Sequence, residues 1–162
     1  MGAGGIFKVA EIVQIAIDEE HNGYYFYNAL AECADSEELQ ATASRLAQQE
    51  LGHEVAFTEL RDRLGAYLPP ETYPGEYADY MNVLIAGKTF PDEEGAVKLA
   101  QESGGDVAAI DTAMGFEKNT LLFLSEMRKL VPEKDREMVD VLIDEERQHV
   151  VDLAAMRAKL TG

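Results

Sequence analysis

Cysteine is nearly absent from this sequence: Cys33 is the single thiol in 162 residues. One cysteine excludes an intramolecular disulfide and any zinc or iron–sulfur site built from several thiolates. It fits a reducing cytoplasm, and Cys33 itself is expected to be a small core or near-core residue. Basic residues are also scarce. Lys and Arg total 14 against 31 Asp and Glu, a net charge of -17. That deficit argues against nucleic acid and anionic membrane surfaces as partners, whereas an acidic shell suits solubility alone or the drawing in of metal cations. No apolar run is long enough to span a bilayer. The start, Met1-Gly2-Ala3-Gly4-Gly5, lacks the basic region and apolar run of a signal peptide. Ile6 stands where a myristoylation pattern has Ser or Thr. These absences lead to the expectation of a cytoplasmic protein.

What is present is helical periodicity. Hydrophobic residues make up 46% of the chain, enough for one domain, residues 1–162, with a sizeable core. Four long segments repeat apolar residues in alternating steps of four and three. The first seam reads Val9, Val13, Ala16, Glu20, Gly23, Tyr27, Leu30, Ala34. The second reads Leu39, Ala43, Leu46, Glu50, His53, Phe57, Leu60, Leu64. The third is Ile110, Ala113, Glu117, Thr120, Leu124, Met127, Val131, and the fourth Val139, Leu142, Glu146, His149, Leu153, Met156, Leu160. The pattern predicts helices over about 7–34, 36–64, 107–131 and 133–160.

The punctuation predicts how they connect. Asp35 and Glu38 suit a capping box opening the second helix. Gly65 and Pro69-Pro70 end it. Asp106 suits an N-cap of the third helix, and Pro132 the first turn of the fourth. Two tight links and one long connection, about 65–106, predict an all-α antiparallel four-helix bundle of the ferritin-like kind. The crossover is expected to hold short helices near 76–86 and 92–103. Its tyrosines, Tyr67, Tyr73, Tyr77 and Tyr80, are expected to cover the bundle or make a dimer contact. There is also an internal repeat. Aligning Glu20 with Glu117 brings Glu50/His53 close to Glu146/His149, so one helical hairpin is used twice.

Each seam is apolar except near its middle. Glu50-Leu51-Gly52-His53 and Glu146-Arg147-Gln148-His149 place a carboxylate and an imidazole three apart, hence on one helix face. Glu20 and Glu117 add one carboxylate each. Buried carboxylates without partners cost several kcal/mol apiece, and two divalent cations would neutralise four of them. Four Glu and two His from four helices is the donor set of binuclear carboxylate sites. Oxygen-rich ligands with two imidazoles suit iron or manganese, with zinc as a substitute.

A lone Glu-x-x-His is weak: with 31 acids in 162 residues, about one histidine in five has an acid at that spacing by chance. Asp18 and His21 are such a pair, off the seam, and are expected at the surface or its boundary. The strength of the other two lies in shared register, the repeat, and a preceding helix with one seam Glu. Glu19 and Glu145, each one position off a seam, are expected to be solvated. Tyr27 lies two turns beyond Glu20 on the same face. It suits core packing, a hydrogen bond to a metal ligand, or a place as a redox-active neighbour of the metals. Gly23 and Thr120 occupy the places where the other two helices carry histidine. They suit either close helix packing or room for a small oxygen species.

The stretch from Ala16 to Tyr27, in which Glu20 precedes Phe26-Tyr27, together with Glu50…His53, Glu117 and Glu146…His149, resembles the rubrerythrin branch of the ferritin-like superfamily. The resemblance covers the four bundle helices and leaves the crossover poorly matched. It implies a di-iron site with Glu20, Glu50, His53, Glu117, Glu146 and His149 as ligands. Two departures matter. The four-cysteine rubredoxin-like module of that family cannot be present, so an external electron-donor protein would have to supply reductant. The family's third helix carries a second Glu three residues after the first, where this chain has Thr120. That Glu is tied to the peroxide-reducing site, so its absence counts against a peroxidase of the rubrerythrin type.

Three readings follow. One is a di-iron oxidoreductase, holding two iron ions as Fe-O-Fe or Fe/Fe and reacting with peroxide or dioxygen as peroxidase or ferroxidase. In it Glu50 and Glu146 bridge, Glu20 and His53 are terminal on one ion, and Glu117 and His149 on the other. The second is a non-enzymatic iron-binding or iron-handling protein. The third is a structural di-metal site. A homodimer or higher homo-oligomer is expected, and domain swapping of the hairpins would draw each site from two chains.

Overall fold

Six α-helices account for nearly all of the chain that the structure, a computed structural model, describes: residues 8–68 and 76–162. They are α1 (Val9–Cys33), α2 (Glu37–Leu64), α3 (Glu76–Ala86), α4 (Glu93–Gln101), α5 (Asp106–Leu130) and α6 (Arg136–Thr161), with a short 3-10 turn at Glu133–Asp135 before α6. Among the described residues there is no strand. Tyr73 and Pro69-Pro70 lie outside the described residues, as do Met1 to Ile6 and the side chains of Tyr77 and Tyr80. Tyr67 is partly exposed.

The four long helices form where the seven-residue pattern runs, and they bury it. Every seam residue from Val9 to Met156 is buried. Leu160 is the exception, 36% exposed. It borders an open hollow at the end of the bundle that it shares with Asp35, the Gly104–Gly105 turn and the first residues of α5. Those glycines adopt φ of 83° and 123°, a region that side chains with a Cβ avoid. They bring the chain out of the crossover and into α5.

Two contacts fix the topology. The Val9 amide donates to the Tyr67 carbonyl at 3.2 Å, so α2 ends beside the start of α1. The Asp106 carboxylate accepts from the Asp35 and Ser36 amides, both at 2.9 Å, so α5 begins beside the α1–α2 link. Hence α1 and α2 are antiparallel, α2 and α5 parallel, and the connection between them must travel the length of the bundle, about 40 Å for a helix as long as α2. The helices pack in a square, α1 on α2 and α5, α6 on α5 and α2. α4 lies on α1, where Phe90 stacks on Phe26 (ring centroids 5.0 Å apart) and leans on Phe116 (4.8 Å).

The same contacts revise the caps. Because Asp106 engages the Asp35 amide, α2 is capped by Ser36, whose hydroxyl accepts from the Leu39 amide. Asp106 is the first helical residue of α5 and Gly105 its cap. Pro132 precedes the 3-10 turn rather than entering α6. Cys33 is exposed in the last turn of α1, its Sγ 3.6 Å from the Ala100 carbonyl, and is not a core residue. It lies one position off the seam, on the side that faces the end of α4.

The core divides into two apolar clusters. One surrounds Tyr27, Leu30, Leu39, Leu46, Ile110 and Leu153, and the other Val13, Phe57, Leu60, Leu124, Met127 and Leu142. Between them, at mid-bundle, lies a polar layer.

Candidate metal centre

That layer is made of Glu20 from α1, Glu50 and His53 from α2, Glu117 from α5, and Glu146 and His149 from α6. The four carboxylates and His149 are wholly buried, and His53 is 3% exposed. The seven-residue register brings them to one level because each lies near the middle of its own seam. Their ligand atoms form two groups, each within a 4.8 Å span: Glu20, Glu50, His53 and Glu146, and Glu50, Glu117, Glu146 and His149. Glu50 and Glu146 belong to both. The imidazoles stack across the layer with centroids 5.3 Å apart.

Each histidine turns Nδ1 inward. His53 Nδ1 lies 2.6 Å from Glu146 Oε1 and 3.3 Å from Glu20 Oε2. His149 Nδ1 lies 3.1–3.4 Å from carboxylate oxygens of Glu146, Glu50 and Glu117. Most of these contacts are poorly directed as hydrogen bonds. Glu20 Oε1, Glu117 Oε2 and both oxygens of Glu50 and of Glu146 have no well-formed hydrogen bond. Buried polar atoms in this state are rare and ask for a partner. Two divalent cations fit: the donors are hard oxygens plus two imidazole nitrogens, converging on two shared positions.

Without metal the layer settles its charge by moving protons. Burial, then the Glu20 and Glu146 carboxylates, push the Glu50 pKa well above the ordinary carboxylate range. Burial and Glu146 do the same to Glu117. Burial disfavours the imidazolium of His53, but Glu146 and Glu20 beside it push its pKa up to about 11. Burial likewise opposes His149, and Glu117 and Glu146 push it up to about 9. Burial would raise Glu146, yet His149 and His53 hold it far below the usual value. The Tyr27 hydroxyl, fully buried, donates to Glu117 Oε1. Burial and that carboxylate keep the phenol protonated.

Asp18 is exposed, and His21 lies at the boundary, between Glu54 (3.3 Å) and Glu93 (2.6 Å), outside the layer. Two off-seam acids do more than face solvent. Glu145, half exposed, accepts a hydrogen bond from His53 Nε2 at 2.9 Å. Glu19 is largely buried and pairs with Lys88 of the crossover at 3.2 Å. Burial raises its pKa despite the lysine. Spacing on one helix could not show these links, since both are made to other elements. A cavity of about 20 Å³ opens beside Glu20, with Ala16, Glu19, Lys88, Asn119 and Thr120 among its lining. Thr120 thus borders a space that reaches Glu20 from the crossover side, whereas Gly23 serves packing: a Cβ there would lie 2.7 Å from Phe116 Cζ.

Comparison with known proteins agrees with this geometry. Residues 11–157 match the rubrerythrin family. The chain belongs to the rubrerythrin family. Within the described residues it has the family's helical bundle, and the single cysteine of these 162 residues cannot furnish a four-cysteine rubredoxin module. A crystal structure from Thermotoga maritima, described as that of a putative ferritin-like diiron-carboxylate protein, superposes with a TM-score of 0.70 at 24% identity, covering 94% of this chain and 95% of the other. At that identity the likeness speaks for the fold. No curated protein matches the chain significantly. Membership, with the buried Glu/His layer, supports di-iron binding. Among the described residues no helix is long and apolar enough to cross a membrane.

Proposed function

We propose that this rubrerythrin-family protein is a binuclear iron oxidoreductase acting on peroxide or dioxygen, of peroxidase or ferroxidase type. The observation that carries the reading is the pair of overlapping ligand groups sharing Glu50 and Glu146. The shared carboxylates would bridge two ions, Glu20 and His53 would complete one position, and Glu117 and His149 the other. Two ferrous ions held there would supply two electrons to a small oxidant. The chain's own residues do the rest. The two apolar clusters exclude bulk water from above and below. Tyr27 holds Glu117 by its hydroxyl. The cavity beside Glu20, about 20 Å³, has room for a molecule near the size of water, as dioxygen and peroxide are. These 162 residues hold no four-thiolate redox module, so in this reading the centre would be re-reduced from outside them, by an electron-donor protein.

The test is to load metal-free protein with ferrous iron under argon, count iron per chain, then mix with peroxide or dioxygen and follow near-ultraviolet absorption. Two irons per chain and rapid oxidation by one oxidant, sustained when a reductant is added, is the expected result. Two irons that do not react would leave a structural site. Many irons per chain would indicate storage.

A further inference from the structure

The internal repeat relates Glu50/His53 of α2 to Glu146/His149 of α6, so Gln49 is the counterpart of Glu145. The structure treats the two halves differently. Glu145 crosses from α6 to α2 and accepts from His53 Nε2 at 2.9 Å. The corresponding nitrogen of the other half, His149 Nε2, is buried with no hydrogen-bond partner. Gln49 does not reach it, because its side-chain carbonyl accepts from Arg45 at 2.8 Å. Asp152, close enough to feel the charge of His149, is engaged by Arg45 and Gln148, both at 2.7 Å.

The difference bears on metal binding because an imidazole ligates through one nitrogen while the other sets its tautomer and tilt. With Nε2–H fixed on Glu145, the nitrogen left for a cation, once its proton is displaced, is Nδ1, the atom that already faces Glu20 and Glu146. A carboxylate in this place also makes the ring a stronger donor, and losing such a partner typically costs 10–100-fold in affinity. His149 has no such anchor, and Glu117 Oε1 on its side already carries the Tyr27 hydroxyl.

We propose that Glu145 is a positioning residue that makes the two metal positions unequal: the position of Glu20 and His53 binds a divalent cation more tightly than that of Glu117 and His149, and fills first. This rests on the di-metal reading above.

Cobalt(II) added anaerobically to the metal-free full-length chain is the probe, followed by visible absorption, calorimetry and proton NMR. Two ions per chain should bind in two steps about 10–100-fold apart. The first equivalent should bring out one paramagnetically shifted, exchangeable imidazole N–H resonance, that of His53. Glu145→Ala should weaken the first step by a similar factor, leave the second nearly unchanged, and lose the resonance to solvent exchange. Glu145→Gln, whose amide oxygen can still accept the N–H, should fall between. Gln49→Glu should tighten the second step. Two ions binding with equal affinity to the wild-type protein would overturn the proposal, as would Glu145→Ala leaving both steps unchanged or weakening both alike, with the di-metal reading intact. Failure to bind two ions at all would overturn the di-metal reading itself, and the proposal with it. Glu145 is half exposed, so its variants should fold, and far-ultraviolet circular dichroism checks that they do.

Discussion

Gly23 measures how closely the centre is packed. A Cβ at that position would lie 2.7 Å and 2.9 Å from two ring carbons of Phe116 and 3.2 Å from Glu50 Oε2. Phe116 has nowhere to retreat, being buried against Phe90 and Tyr27. Overpacking of this kind costs about 1–3 kcal/mol, offset by up to about 1 kcal/mol from the better helix propensity of alanine. Gly23→Ala is therefore expected to lower the stability of the metal-free protein by about 1–2 kcal/mol, read as a lower urea midpoint at unchanged slope. It should also weaken metal binding, because Glu50 must shift. An unchanged midpoint with unchanged binding would show that the contact is slack. In the sequence Gly23 stood equally well for packing or for ligand space, and its seam position could not separate the two. The six Glu and His of the layer were legible, because register alone put them at one level. Glu145 was not, since its link to His53 depends on how far α6 is rotated against α2.

At the scale of the elements, hydrophobic period set the helix lengths well, but the caps depended on contacts between elements. Asp35 and Ser36 are both good caps in isolation. Ser36 takes the role, its hydroxyl accepting from the Leu39 amide, while Asp106, about 70 residues on, takes up the backbone amides of both. That carboxylate thus ties the α1–α2 link to the start of α5 and holds the two hairpins in register at one end. Hydrogen bonds to a charged acceptor contribute about 1.5–3 kcal/mol, less where solvent reaches them. Asp106→Ala is expected to cost about 1–2 kcal/mol, and Asp106→Asn, which keeps one acceptor oxygen, about half of that. Glu117 lies eleven residues along α5, about 16 Å away, so two metals per chain should still bind. A drop in metal stoichiometry would mean that the layer depends on this end of the bundle. Leu160 makes the same point: its seam position promised burial, but it borders an open hollow at the end of the bundle, lined in part by Gly104 and Gly105.

For the whole molecule, the question is what holds the bundle together when the layer is empty of cations. The two apolar clusters flank the layer and involve all four long helices, so chelation should leave a folded protein. How stable it is depends on pH. Glu50 and Glu117 have pKa values raised above the 4.5 of the unfolded chain. Their contribution is present below about pH 4.5 and is lost as pH rises through their folded values. His149 and His53, raised from 6.5 to about 9 and about 11, contribute fully below pH 6.5 and lose that contribution as pH climbs through those values. Glu146, depressed, acts oppositely: its contribution is present above pH 4.5 and is lost on acidification below it. On these groups, metal-free protein should therefore be most stable at about pH 4.5, where Glu146 has reached its full contribution and the others have not begun to lose theirs, and should melt at progressively lower temperature from about pH 6 to pH 10. Divalent cations take the place of the protons on these groups, so loading should release protons, and affinity should rise with pH. The gap in melting temperature between loaded and chelated protein is then expected to widen over the same interval. Glu50→Gln, which keeps one neutral side chain at every pH, should flatten the metal-free curve while abolishing tight binding of the metal pair. Calorimetric melts of the loaded, chelated and variant proteins at pH 6, 8 and 10 would decide it. A metal-free melting temperature that rises across this range would mean that the layer is not settled by protons. Unfolding on chelation at every pH would make the metals a structural requirement, and the two flanking clusters insufficient by themselves.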